Sequence, residues 1–292
     1  MQKITPFLWF NDNAEEAVAL YTSAFKDSKI LSTMRYGDAG PAPKGSVMTV
    51  SFLLEGQAFT ALNGGPIYTH TPATSLFVQC ASREAVDAIW AKLSDGGTVL
   101  MELGEYPFSE RYGWVSDRFG VSWQLSLARA EQKISPFLLF TGAQHGKAEE
   151  AIRLYTELFD DSKIVNVDRY GKDEHEPEGS VRHATFVLQG QQFMAIESAH
   201  PHEFGFSEAF SFVVNCDSQA EIDRFWERLT DGGQPLQCGW LKDKFGVTWQ
   251  VVPPVLIEMM QDKDPSKAER VTEAMMQMVK LDIAALQRAY EG

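Results

Sequence analysis

Several things are missing from these 292 residues, and each absence removes a class of function. Three cysteines, Cys80, Cys216 and Cys238, form neither a C-x-x-C pair nor a disulfide framework, so a reducing cytoplasm is the expected setting. No apolar run approaches the ~20 residues of a membrane span. The opening MQKITPFLWF lacks an apolar signal core followed by a cleavage site. Basic residues are scarce: 26 Lys and Arg against 40 Asp and Glu give a formal charge of −14. Phosphate backbones and anionic membranes both call for a basic surface, so neither is an expected partner. No G-x-G-x-x-G or Walker pattern occurs. Gly96-Gly97 and Gly232-Gly233 follow helical segments instead of opening them, and read as helix ends. With no glycine-rich loop after a parallel strand, an S-adenosylmethionine cofactor is not expected, nor is any other.

What the chain does have is repetition. KITPFLWF (3–10) returns as KISPFLLF (133–140), and AEEAVALYTSAFKDSKILSTMRYG (14–37) as AEEAIRLYTELFDDSKIVNVDRYG (148–171). SLFVQC (75–80) returns as SFVVNC (211–216), and DRFGVSWQ (117–124) as DKFGVTWQ (243–250). One stretch shrinks: LGEYPFSERYGW (103–114) in the first copy is only QCGW (237–240) in the second. The expected divisions are a first module at 1–129, a second at 130–254 and a tail at 255–292.

Within a module the pattern is strand, helix, three strands, twice over. Residues 3–10 read as a buried strand, and a helix follows at 13–25, where Asn13 and Glu16 have capping-box-like spacing. Strands are expected at 29–36, 46–54, 57–63 and 74–80, then a helix over 83–94 capped by Ser82. Its repeat carries the fuller box Ser218/Glu221. Asp117 and Asp243, each followed three residues later by glycine, suit type I turns and read as structural. Beyond the first turn, alternation sets Val121, Trp123 and Leu125 under the helices, with Ser122, Gln124 and Ser126 on the concave face. In the tail, Asp264-Pro265 starts a helix expected to run to about Ala289, with Val271, Met275, Met278 and Leu286 near one face.

Two βαβββ units per module, together with ITPFLWFNDNAEEAVALY, GWVSDRFGVSWQL and CGWLKDKFGVTWQVVP, resemble the vicinal oxygen chelate superfamily. That superfamily includes glyoxalase I, extradiol dioxygenases and bleomycin-resistance proteins. The run EAMMQMVKLDIAALQRAY is similar to the end of chains in its PhnB-like branch, labelled 3-demethylubiquinone 3-methyltransferase-like. The resemblance implies an α+β fold of tandem modules, each forming an incomplete barrel, followed by a helical tail. In the metal enzymes of this superfamily, cavity-facing His and Glu on the first and fourth strands of each unit hold one divalent ion. Matched by motif, those positions are Thr5, Asn63, Ser75 and Gln124 in the first module, and Ser135, Glu197, Ser211 and Gln250 in the second. Divalent transition ions bind imidazole, thiolate or carboxylate. Hydroxyls and amides with a single carboxylate do not make such a site, so no barrel metal is expected.

These eight residues are the expected lining of two cavities, one per module, with Trp9, Trp114 and Trp240 as stacking walls or core. Glu197 is the one acid among them and a candidate for a general base. Cys238, private to the second module, is a candidate for a reactive thiol if Lys242 lowers its pKa. His200, His202 and Glu203 follow Glu197, with His183 on the preceding strand, and offer a loop metal site against a plain polar loop. Tyr106 and Arg111 lie in the longer stretch of the first module and offer a lid or a surface loop. The leading expectation is a PhnB-like protein that binds a small organic molecule without metal, for sequestration or an unidentified reaction. A metal-dependent glyoxalase or dioxygenase and a non-catalytic interaction module with filled cores both stay open. So do a homodimer and an internal pseudo-dimer.

Overall fold

The structure is a computed structural model, and it describes residues 2–129 and 133–292. The expected seam at 129/130 borders residues that lie outside that set. Four βαβββ units follow one another. The first comprises β1 (Ile4–Phe10), α1 (Ala14–Ala24), β2 (Ser28–Arg35), β3 (Val47–Leu54) and β4 (Gln57–Asn63). The second comprises β5 (Thr74–Cys80), α2 (Arg83–Leu93), β6 (Thr98–Tyr106), β7 (Ser109–Ser116) and β8 (Ser122–Leu127). The third comprises β9 (Lys133–Thr141), α3 (Ala148–Leu158), β10 (Lys163–Arg169), β11 (Val181–Leu188) and β12 (Gln191–Ser198). The fourth has β13 (Phe210–Asn215), α4 (Gln219–Thr230) and three short strands, β14 (Gln234–Pro235), β15 (Trp240–Lys242) and β16 (Thr248–Val252).

These strands make two eight-stranded sheets, the tandem α+β arrangement implied by the repeats. Sheet 1 has the order β14-β15-β16-β13-β1-β4-β3-β2, and sheet 2 the order β10-β11-β12-β9-β5-β8-β7-β6. Each sheet therefore joins units from both copies. β1 pairs antiparallel with β13, and β5 pairs antiparallel with β9. The first unit shares its sheet with the fourth, and the second with the third. Repetition reveals how many units there are, but not which edges pair. The expected cavity sets regroup accordingly: Thr5 and Asn63 belong with Ser211 and Gln250, and Ser75 and Gln124 with Ser135 and Glu197.

The helices cover the convex faces. α1 buries Ala14, Ala17, Val18 and Tyr21, and α3 buries Ala148, Ala151, Ile152, Tyr155 and Leu158. Trp123 and Trp249 lie fully buried among them, within one apolar cluster that draws on all four units. Burying a large apolar side chain contributes about 1.5–3 kcal/mol. The repeated apolar stripes thus drive helix docking more than helix propensity does.

The tail differs from expectation. α5 (Pro254–Met260) and α6 (Pro265–Met276) form, but the long helix breaks and α7 (Ile283–Glu291) starts anew. The break has two causes. Cys238 and Gly239 donate their backbone N–H groups to Met278 and Val279 carbonyls, both at 2.8 Å, which draws the chain out of helix. Asp282 then caps α7, accepting from Ala285 N at 2.7 Å. The tail packs on the turn between β14 and β15, a much shorter hairpin than β6–β7. Leu281 packs on Gly239, where an added Cβ would stand 2.8 Å from the Val251 carbonyl and 3.1 Å from Leu281. A second apolar cluster, including Val252, Leu256, Met259, Val271, Leu281 and Leu286, fixes the tail on sheet 1.

Candidate functional site

The concave face of sheet 1 holds a cavity of about 170 Å³. Thr5 and Phe7 of β1, Thr60 of β4, and Val213 and Asn215 of β13 line it, with Gln250 and Val252 of β16. Ile257, Met260 and Gln261, in and just after α5, close it from the tail side. Strand alternation explains the placement: Thr5 and Phe7 point to one face, while Ile4, Leu8 and Phe10 go to the core under the helices. Gln250 donates from Nε2 to Ser211 Oγ at 2.9 Å, and Asn215 Nδ2 donates to Thr5 Oγ1 at 3.4 Å. Every polar side chain lining this cavity is a neutral hydroxyl or amide.

Sheet 2 treats the corresponding positions differently. Gln124 Nε2 donates to Ser75 Oγ at 2.8 Å, as its repeat does, but Gln124 Oε1 also accepts from Tyr112 Oη at 2.7 Å. Burial pushes the Tyr112 hydroxyl's pKa up, so it stays a donor. Ser75, Gln124, Ser135, Phe137 and Tyr112 are all buried, and Phe77 stacks on Phe137. Ser135 Oγ has no partner among the described residues. His183 lies against the Phe137 ring, and burial lowers its pKa.

Asn63 and Glu197 are one residue out of register with the cavity. Phe59 and Ala61, on the same face of β4 as Asn63, lie in the core under α1. Asn63 Oδ1 accepts from Ala14 N at 2.8 Å, so it caps α1. The expected cap, Asn13, makes no side-chain cap bond. Glu197 does the same for α3, accepting from Ala148 N at 2.8 Å and from Val181 N at 2.6 Å. Both carboxylate oxygens are therefore committed to backbone N–H groups, and Glu197 is a structural clamp, not a cavity base. By alternation the cavity-facing neighbours are Leu62 and Ile196. The positions that the resemblance assigned to metal ligands then read Thr5, Leu62, Ser211 and Gln250 in sheet 1, and Ser75, Gln124, Ser135 and Ile196 in sheet 2. That donor set does not fit a divalent transition ion.

The other candidates also find places. Trp240 meets Phe7 and Trp9 edge-to-face at 5.6 and 5.9 Å, whereas Trp114 Nε1 donates to Ser122 Oγ at 2.7 Å. Cys238 is half-buried, and burial raises its pKa. Lys242 is held at 2.6 Å by Glu208 and does not activate that thiol. Cys80 and Cys216 are buried, each pushed up to about 12. With Glu197 turned to the helix, His200 and His202 gain no carboxylate from it, and His202 Nε2 sits 3.1 Å from Ser198 Oγ. Among the described residues, no three His, Cys, Asp or Glu side chains are arranged to hold a metal ion. Arg111 is tied to Asp87 of α2 at 2.7 Å, and Tyr106 packs against Phe108 and Tyr112 in the β6–β7 hairpin. No helix among the described residues is long and apolar enough to cross a membrane.

Asp117 and Asp243 do more than turn the chain. Asp243 Oδ1 accepts from Phe245 N and Val247 N at 2.9 and 3.0 Å, while Oδ2 accepts from Tyr155 Oη and Trp249 Nε1 at 2.6 and 2.9 Å. Burial nonetheless outweighs these bonds and lifts its pKa to about 6. Asp117 repeats the bonds to two backbone N–H groups and to Trp123 Nε1. Both carboxylates lie beneath the helices and knit the turn to the core.

Among the residues at these concave faces that the sequence left unnamed are Thr60, Val213, Asn215, Tyr112 and the α5 contacts. Alternation from Ser211 would have reached Asn215. Nothing local marks α5 as a cavity wall.

Comparisons with known proteins agree with this architecture. The family model described as 3-demethylubiquinone-9 3-methyltransferase matches residues 2–126 and again 132–252. The PhnB protein from Bacillus cereus is 47% identical over 44% of this chain and 100% of its own, with a TM-score of 0.42. Glyoxalase I from Zea mays superposes over 89% of this chain and 95% of its own, with a TM-score of 0.57 at 11% identity, a likeness of fold alone. No curated protein matches the chain. Because the family model occurs twice and spans most of the sequence, the chain belongs to the 3-demethylubiquinone-9 3-methyltransferase-like, or PhnB-like, family.

Proposed function

We propose that the protein binds one small, uncharged organic molecule in the sheet 1 cavity, without a metal ion, for sequestration or for a reaction still to be identified. The observation that carries this reading is the chemistry of the lining: Thr5, Thr60, Asn215 and Gln250 above an apolar floor of Phe7 and Val213. A charged ligand would be desolvated there with no opposite charge to meet it, at a cost of several kcal/mol. A neutral ring with one or two polar groups meets both the apolar floor and the amides. The volume suits a single ring, since an apolar cavity of ~150 Å³ accommodates benzene. The family description names methyl transfer, but the chain offers no glycine-rich loop for a methyl donor, and the reading makes no use of one.

For sheet 2 a different reading is favoured. Tyr112 and the stacked Phe77 and Phe137 occupy its concave face, which fits a filled, structural half. The test is a ligand-observed NMR screen of neutral and charged single-ring compounds, with and without a chelator. Neutral compounds should bind, with unchanged affinity after chelation. Binding confined to carboxylates or amines, or abolished by the chelator, would sink the proposal.

A further inference from the structure

The two sheets differ at one equivalent position in a way that names the ligand's chemistry. In QCGW and RYGW, Cys238 stands where Tyr112 stands in the other copy. The strand pairing agrees: Trp114 faces Gln124 in sheet 2, and Trp240 faces Gln250 in sheet 1. Tyr112 lies across from Ser126 and reaches Gln124 Oε1 at 2.7 Å. Ser126 and Gln124 correspond to Val252 and Gln250, and both of those line the sheet 1 cavity. Gln250 spends its Nε2 on Ser211 just as Gln124 spends its own on Ser75. Its Oε1 has no donor among the described residues. The Cys238 side chain is too short to replace a phenol, and its sulfur turns instead to Met276 Sδ at 3.9 Å.

We infer that the sheet 1 ligand is an uncharged phenol-like compound whose hydroxyl donates to Gln250 Oε1, and that Tyr112 is the built-in counterpart of that ligand in sheet 2. This rests on the proposed binding in sheet 1 and adds its chemical class. Gln250 Oε1 is left as Gln124 Oε1 would be without Tyr112, and a hydroxyl placed where Tyr112 Oη lies in sheet 2 fills it, so the site favours a donor at that point. The precedent is sheet 2, where Gln124 keeps Nε2 on Ser75 while its Oε1 accepts from Tyr112 Oη. The ring of the ligand would lie over Val252, with Met260 and Ile257 of α5 across from it. Sheet 2 needs no ligand because Tyr112 supplies the same ring and hydroxyl covalently. One ligand per chain follows.

The experiment titrates the full-length protein with phenol and with anisole, which keeps the ring but has no donor. Phenol should bind at one per chain, and anisole about tenfold or more weakly. Gln250→Leu should erase the preference, bringing phenol and anisole to equal affinity. Tyr112→Gly should open a second site, raising the stoichiometry to two and giving a larger phenol-dependent rise in Tm than the parent shows. Equal binding of phenol and anisole would overturn the inference while leaving neutral-ligand binding intact. Failure of both, and of every neutral single-ring compound, would bring down the proposed function itself. If Tyr112→Gly does not fold, the phenol-to-anisole ratio with Gln250→Leu decides the matter alone. If it folds and takes no second phenol, Tyr112 is not a ligand counterpart and that half of the inference fails.

Discussion

Sheet 1 and sheet 2 are built from the same two kinds of unit, yet one keeps a cavity and the other fills it. The difference lies in the last third of each copy. The second unit has a full β6–β7 hairpin whose Tyr106, Phe108 and Tyr112 pack edge-to-face and stacked. The fourth unit keeps only the short β14–β15 pair there, and the C-terminal tail bonds to the turn between those strands. The lesson is that a cavity can arise by shortening. Ten residues fewer (234–242 against 98–116), at ~3.3 Å per residue in a strand, shorten the strands over a face that the tail then borders. The polar pairs Gln124/Ser75 and Gln250/Ser211 persist on both sides, while the Tyr112 hydroxyl that meets Gln124 has no equivalent at Cys238.

Several changes would break or sharpen this contrast, and the largest effect is expected where the two sheets agree. Asp243→Ala would leave two backbone N–H groups, the Trp249 indole and the Tyr155 hydroxyl without an acceptor. A loss of about 3–5 kcal/mol in urea unfolding is expected, with Asp117→Ala a little less costly. Next comes Glu197→Ala, which removes the α3 clamp and should cost about 2–3 kcal/mol while leaving ligand binding untouched. Its counterpart Asn63→Ala should cost about 1 kcal/mol or somewhat more. A change in ligand affinity with either variant would show that these side chains do face the cavities.

The pH dependence follows from Asp243. Its folded pKa, near 6, stands above the ~3.9 of an exposed aspartate, so folding favours the protonated form. That contribution is present in full below about pH 4 and is lost as pH rises through about 6. Carboxyl carbon NMR should show a midpoint near 6 for this residue, and a midpoint at or below 4 would refute it. The smallest effect is expected at the tail anchor. Lys280→Ala removes an exposed ion pair with Asp223 and should cost no more than about 0.5 kcal/mol. A faster ligand off-rate in that variant would reveal the tail as a moving wall.

Much of this was legible in the sequence. The repeats yielded four units, and the alternation in VSWQL placed Trp123 inside and Gln124 on the concave face, where both are found. Ser82 and Ser218 cap their helices as expected. Three things were not legible, for physical reasons. Which unit pairs with which depends on sheet edges far apart in the chain, and no local pattern encodes it. The orientation of Asn63 and Glu197 failed by one residue, because at a strand end a polar side chain can serve either face. There the demand of unpaired N–H groups at the α1 and α3 starts decided it. The tail helix broke because an acceptor was needed opposite Cys238 and Gly239, a demand set some forty residues earlier.

The central claim is one neutral ligand per chain, held by Gln250 and not by a metal ion. Isothermal titration of phenol into the chelator-treated protein and its Gln250→Leu variant tests it most directly. One phenol per parent chain, the same affinity after adding zinc, and binding reduced about tenfold in the variant are the predicted results. Binding that appears only when zinc is restored, or that survives Gln250→Leu unchanged, would contradict it.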